Sequence, residues 1–198
     1  MQQQTIQELK GSFIRLVPME DIHRPELVEL LQNPQIWECT WRKISTVEQV
    51  NELIETALAN KEKGSEIPFV MVERSSGKVI GTSRIKNLDR THRNAEIGCT
   101  WISPDFWRTS ANTESKSLLL HYCFEELGLI RIDFTIVGGN LRSQRAIERI
   151  GAVREGMLRK HRITSDGTVL DNVLYSIIDD EWPAVKANLH YLLNVKYV

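Results

Sequence analysis

The chain lacks several features, and each absence closes off a class of protein. Its 198 residues contain no apolar run approaching the roughly 18 residues of a membrane-spanning helix. The opening MQQQTIQELK has none of the apolar core of a secretion signal. Net charge is only −1, so no excess of either sign suggests nucleic acid or an anionic membrane surface as partner. Cys39, Cys99 and Cys123 are scattered and odd in number, which gives neither a disulfide framework nor a metal-binding spacing. His92, His121, His161 and His190 show no metal spacing either, and no metal is expected. A reducing, cytoplasmic setting fits this cysteine usage. Repeats, low-complexity tracts and linkers are absent, so residues 1–198 read as one domain with a core over roughly 12–193.

What is present is a mixture of two periodicities. Residues 12–17, 68–73, 78–86, 94–102, 130–137, 153–163 and 169–178 read as seven strands. Residues 1–11 read as irregular. Turn signals at Ser75-Ser76-Gly77 and Ser165-Asp166-Gly167 make hairpins of their flanking strands. Short helices fit 20–32. A longer one follows Thr46, whose hydroxyl and Gln49 form a capping-box pattern before Val47, Val50, Ile54 and Leu58. A helix over 113–127 carries Leu119, Leu120, Cys123 and Phe124 on one side, with Asn112 as a suitable cap. Asn140 caps another that ends at Gly151, and Asp179 or Asp180 caps a last one with Pro183 in its first turn. Hairpins mixed with two helix crossovers make this an α+β fold with a mixed sheet.

Three stretches hold residues that could carry chemistry. The turn at 106–112 leads into a helix N-terminus, where unpaired amides and the helix dipole favour an anion, and Arg108 stands beside it. An ordinary capped helix would look much the same, and no glycine is there to force a close approach. Glu96, in a strand before Ile97-Gly98, is placed either as a general base or as a solvated strand residue. Asn140 and Ser143 open a helix, either as plain cap residues or as a ligand-binding amide and a proton donor. Trp37, Trp41 and Phe69 could line an apolar pocket or belong to the core.

Taken in order, Glu96-Ile97-Gly98, Trp101-Ile102-Ser103-Pro104, the turn RTSANTESK, the segment ELGLIRIDF, the run from Asn140 to Ala152 and Arg154-Glu155-Gly156-Met157-Leu158-Arg159 resemble the GNAT acetyltransferase superfamily. Within it, the chain resembles the ribosomal-protein alanine N-acetyltransferase branch. The resemblance implies a mostly antiparallel seven-stranded sheet with helices on both faces, splayed between the strands near 95–102 and 130–137. It implies that acetyl-CoA lies in that splay, with its pantetheine arm along Trp101, Ile102 and Ser103. The pyrophosphate would rest on the amides of Arg108, Thr109, Ser110, Ala111, Asn112 and Thr113, and Asn140 would meet the pantetheine end. An amine would attack the thioester directly in a ternary complex, with Glu96 as base and Ser143 protonating the departing thiolate.

Two departures accompany the resemblance. The superfamily turn usually reads Gln/Arg-x-x-Gly-x-Gly/Ala, and here Trp107, Ser110 and Asn112 hold the fixed positions. The stretch from Thr109 to Glu114 instead matches a Thr-x-x-Asn-Thr-Glu form found within the branch. The tyrosine that many relatives carry on the later helix falls at Ile147, which leaves Ser143 as the acid. The implied partners are acetyl-CoA and an amine acceptor, either a protein N-terminus or a small molecule, on a monomer or homodimer. The rival reading is a catalytically silent acyl-CoA-binding or interaction module of the same fold.

Overall fold

The computed structural model describes residues 6–196. Its sheet is built around β3 (Ile67–Glu73), whose sequence IPFVMVE is apolar almost throughout and is buried on both sides. Phe69 and Met71 point into one core cluster, Val70 and Val72 into the other. A strand sandwiched this way reads as a continuous apolar run instead of an alternating one. α1 (Arg24–Leu31) and α2 (Val47–Glu62) cover one face through Leu27, Leu31, Val50, Leu53, Ile54 and Ala57. The other face is covered by α3 (Ala111–His121), α4 (Leu141–Ile150) and α5 (Trp182–Tyr191).

The remaining strands are β1 (Leu9–Lys10), β2 (Ile14–Pro18), β4 (Val79–Asp89), β5 (Asn94–Ile102), β6 (Arg131–Val137), β7 (Val153–Ile163) and β8 (Val169–Ile178). They form one eight-stranded sheet in the order β1-β2-β3-β4-β5-β6-β8-β7. Every neighbouring pair is antiparallel except β5 with β6. The expected seven strands become eight because Leu9–Lys10, within the stretch read as irregular, pairs with Leu16 and Arg15. A two-residue strand carries no period for a sequence pattern to show. Residues 1–5 of that stretch lie outside the described residues.

Several helix ends differ from expectation. Thr46 and Gln49 do form the reciprocal capping box of α2. α3 starts at Ala111 with Ser110 at its N-cap, so Asn112 is inside the helix, and its last turn, Tyr122–Glu126, widens to a π-helix. Asn140 caps α4, its Oδ1 accepting from the Ser143 amide at 3.0 Å. α5 is capped at Glu181, not at Asp179 or Asp180, and the Glu181 carboxylate turns back to accept from the Ile178 amide. Among the described residues no helix is long and apolar enough to cross a membrane.

One carboxylate fixes α3 against the sheet. Glu114, in the first turn of α3, is buried and accepts from the amides of Ser12, Phe13 and Ile14 at 2.6, 2.9 and 2.7 Å. These donors lie a hundred residues away in the chain, at the tight turn between β1 and β2. Gly11 belongs to that turn, and a side chain there would collide with the Glu114 carboxylate. A hydrogen bond to a charged partner contributes roughly 1.5–3 kcal/mol. Replacing Glu114 by Ala is therefore expected to cost about 3–5 kcal/mol of unfolding free energy in urea denaturation. A loss under about 1 kcal/mol would show that the β1–β2 turn is anchored by other contacts.

Candidate active site

β5 and β6 run side by side only briefly. Their parallel ladder pairs Asn94 with Arg131, Ala95 with Ile132 and Glu96 with Asp133, and ends there, although both strands continue. The departure has a local cause in β5. Gly98 stands opposite Arg84 and Trp101 opposite Thr82, so β5 spends three steps against two on β4. The extra residue is a β-bulge at Cys99, whose φ is +50°. Beyond it Ser103 returns to β4, donating to the Ile80 carbonyl at 2.8 Å. Alternation along a strand then turns the backbone of Ile102 to the open side. The Ile102 carbonyl is taken by the Trp107 indole N–H at 2.9 Å.

Glu96 sits at the last pair before the strands part. Its Oε2 is 2.8 Å from Lys86 Nζ and accepts from Asn87 Nδ2 at 3.1 Å. Oε1 takes no protein donor among the described residues. Its register partner Asp133 lies on the same face, and half-burial pushes the Asp133 carboxyl up despite the neighbouring Arg131 cation. Sequence reading missed Asp133, because in IRIDFTIV it is one of several alternating polar positions and nothing local marks it as the partner of Glu96.

The turn after β5 is shaped by side chains. Thr109 Oγ1 donates to the Phe106 carbonyl at 2.8 Å and accepts from the Ala111 amide at 3.3 Å. Arg108 adopts φ +65°, the left-handed region that glycine usually fills. The amides of Thr109, Ser110 and Asn112 meet no protein acceptor among the described residues. Ala111 is core, and its amide is already taken by Thr109. The Thr113 side chain is buried and accepts from Arg149 Nη2 at 2.9 Å. Free amides at a helix N-terminus, with an exposed arginine alongside, fit a diphosphate. Arg142 of α4 stacks over the Trp107 ring at 3.9 Å. That stack ties the segment following β5 to the helix following β6.

On the β6 side, Asn140 is buried and its Nδ2 meets no protein acceptor among the described residues, so its capping role leaves a donor to spare. The Ser143 hydroxyl, one turn into α4 and half-buried, makes no protein hydrogen bond among the described residues. Ile147 is core.

Comparison with known proteins places the chain in a family. Residues 14–153 match the family described as acetyltransferase (GNAT) domain. The chain belongs to the GNAT acetyltransferase family. It is 33% identical over 135 residues to the uncharacterized N-acetyltransferase YoaA of Bacillus subtilis, covering 68% of this chain and 75% of that one. It is 36% identical over 110 residues to YdaF of the same organism, named as a candidate ribosomal N-acetyltransferase, covering 56% and 59%. The fold superposes on the crystal structure of a GCN5-related N-acetyltransferase from Brucella melitensis with a TM-score of 0.85 at 27% identity, covering 96% of this chain and 86% of that one. The GNAT family uses acetyl-CoA as its co-substrate.

Of the three aromatics read as pocket candidates in this GNAT enzyme, two are core. Trp37 donates its indole N–H to the Leu31 carbonyl and packs on Trp101 at 5.0 Å, while Phe69 is fully buried against Tyr122. Only Trp41 faces a cleft, of about 390 Å³, between the start of α2, β4 and the β7–β8 hairpin. A large apolar residue gives no sign in sequence of which face it takes.

The acetyltransferase also buries a lysine beneath the bulge. Lys116 of α3 donates to Thr100 Oγ1 at 2.6 Å, and that hydroxyl is 2.8 Å from Ser83 Oγ. Burial pushes the Lys116 amine down to about 7. Between that value and the ordinary 10.5, the unfolded chain holds a proton here that the fold does not, so this group makes stability rise with pH across the window. The melting temperature of the wild type should therefore climb relative to Lys116→Met as pH is raised from 7 towards 10.5. A constant difference would mean that Lys116 is solvated in the fold.

Proposed function

We propose that this enzyme transfers an acetyl group to a primary amine, either a protein N-terminal α-amine or a small amine, in a ternary complex. The observation that carries this reading is the parting of β5 from β6 with Glu96 on one side and Asn140 and Ser143 on the other. When bound, acetyl-CoA supplies the acetyl group as a thioester. The amides of Thr109, Ser110 and Asn112 would donate to its diphosphate, with Arg108 adding charge, and the Ile102 amide and Asn140 Nδ2 are free to meet a pantetheine chain between the strands. Glu96 Oε1 can take the proton of the incoming amine, directly or through water, while Lys86 and Asn87 hold the other oxygen. Ser143 Oγ can give a proton to the departing thiolate. Positioning and a polarised carbonyl then supply most of the rate.

Two experiments separate binding from chemistry. A carboxylate introduced as Ser110→Asp suits a helix N-terminus but opposes a diphosphate, so the folded variant is expected to bind CoA at least tenfold more weakly by calorimetry. Unchanged affinity would remove the diphosphate from this turn.

In a free-thiol assay over an amine panel, Glu96→Gln should lower kcat by roughly 10²–10⁴ at neutral pH. Ser143→Ala should lower kcat less, with the loss greatest for poorly matched acceptors. If neither variant changes kcat at any pH, these two roles are misassigned.

A further inference from the structure

The cleft beside Trp41 has an unbalanced charge. Arg84 of β4 lies in its wall, only 3% exposed. Its Nη2 donates to the Leu53 carbonyl at 3.0 Å and its Nη1 reaches Glu66 Oε2 at 3.4 Å, but its buried Nε has no acceptor among the described residues. A buried N–H without an acceptor is rare and costly, so the Arg84 charge in this wall is incompletely compensated. Arg42 and Arg162 flank Trp41, with their guanidinium carbons 4.5 and 5.6 Å from its ring centroids. Neither has a carboxylate partner among the described residues. Burial, with Arg84 and Arg162 adding to it, holds the Arg42 guanidinium below its ordinary value.

The nearby acids do not offset this. Glu66, behind the wall, is shared between Arg84 and the Asn60 amide, and among the described residues Glu52 is the one carboxylate lining the cleft. Lys43, also in the lining, adds a further positive charge and spends its amine on the Trp37 and Glu38 carbonyls.

The ladder fixes how this cleft relates to Glu96. Arg84 stands opposite Gly98 and Lys86 opposite Glu96, on the same face of the sheet. Two residues of strand separate the two levels, about 7 Å. We infer that the acceptor is an amine bearing a carboxylate a few bonds away, with Arg42 and Arg162 taking the carboxylate beside Trp41, in front of the buried Arg84 charge, and the amine left at Glu96. Guanidinium forks match a carboxylate in geometry as well as charge. Only the amine end rests on the acetyl-transfer reading. The carboxylate end stands on the guanidiniums of Arg42 and Arg162, which have no carboxylate partner among the described residues, and on the buried Arg84 charge behind them.

Such a carboxylate could belong to an acidic residue at a peptide N-terminus or to a free acidic amino acid. The test is calorimetry on the CoA-saturated enzyme, run beside the free-thiol assay. One arm titrates tetrapeptide amides that begin with Glu, Gln or Lys, each followed by three alanines. The other compares free glutamate with its diamide. In at least one arm the acid should bind at least tenfold tighter than its neutral counterpart, and increasingly weakly as NaCl is raised. The preference should fall to within twofold in the Arg42→Gln, Arg162→Gln double variant, with CoA affinity retained as the check on folding. The arm that responds identifies the source.

Equal binding of acid and neutral acceptors in both arms, or a preference for the Lys peptide, overturns the inference. Acid-selective binding with no acetylation would keep the carboxylate site and sink the acetyl-transfer reading. Acetylation without acid preference would do the reverse.

Discussion

Three residue pairs join the two halves of this sheet, and the rest of the molecule is arranged around how little that is. β1 to β5 form an antiparallel meander with helices on both faces. β6, β8 and β7 form a second antiparallel set. Among the described residues, the parallel contact from Asn94–Arg131 to Glu96–Asp133 is the only ladder between them. Had it continued, the backbone of β5 would be spent on β6. Because the bulge at Cys99 turns β5 aside, backbone groups such as the Ile102 amide are left to face an opening inside an otherwise paired sheet. An unpaired strand edge in the middle of a domain is costly unless a ligand uses it, and this follows from the geometry whatever the ligand is.

Holding two loosely joined halves in place falls to side chains. Glu114 draws the β1–β2 turn onto the N-terminus of α3. Arg149 reaches from α4 to Thr113, and Asn188 of α5 donates to the Arg149 carbonyl at 2.9 Å. The Trp107–Arg142 stack closes the circuit between the ends of the parted strands. The glycine-free turn makes sense in this setting. Glycine would supply conformational freedom, whereas here the Trp107 indole, the Thr109 hydroxyl and a left-handed Arg108 fix one conformation from outside the backbone. The amides of Thr109, Ser110 and Asn112 are left facing outward all the same.

Much of this was legible in the sequence because it is local. The bounds of β5, β7 and β8, the capping box at Thr46 and the Asn140 cap depend on neighbouring residues, and periodicity or cap chemistry reports them directly. The resemblance added the splay and the order of the site residues. What stayed hidden depends on register and on which face a residue takes. Asp133 matters because it pairs with Glu96, and Lys116 because the bulge brings Thr100 over it. Trp37 and Trp41 lie four residues apart with the same chemistry, yet one is core and the other lines a cleft. Two-residue β1 lies below the length at which a period exists.

The bulge also explains why the two faces of β5 differ so sharply in charge. On the α3 face, Thr100 is held by a lysine that burial favours as the neutral amine, in contact only with hydroxyls. On the α2 face, Arg42 and Arg162 flank Trp41 and Arg84 lies in the wall of the same cleft, with Glu66 the one carboxylate paired to any of the three among the described residues. Ordinary core packing would place apolar side chains at both levels, since cations without counterions cost more to bury than any contact they make there. The α3 side can relieve that cost by releasing a proton, since burial lowers the Lys116 amine to about 7. Arginine cannot do so. Its positive charge therefore remains on one side of the bulge only, where an incoming carboxylate would be drawn and a cationic acceptor turned away.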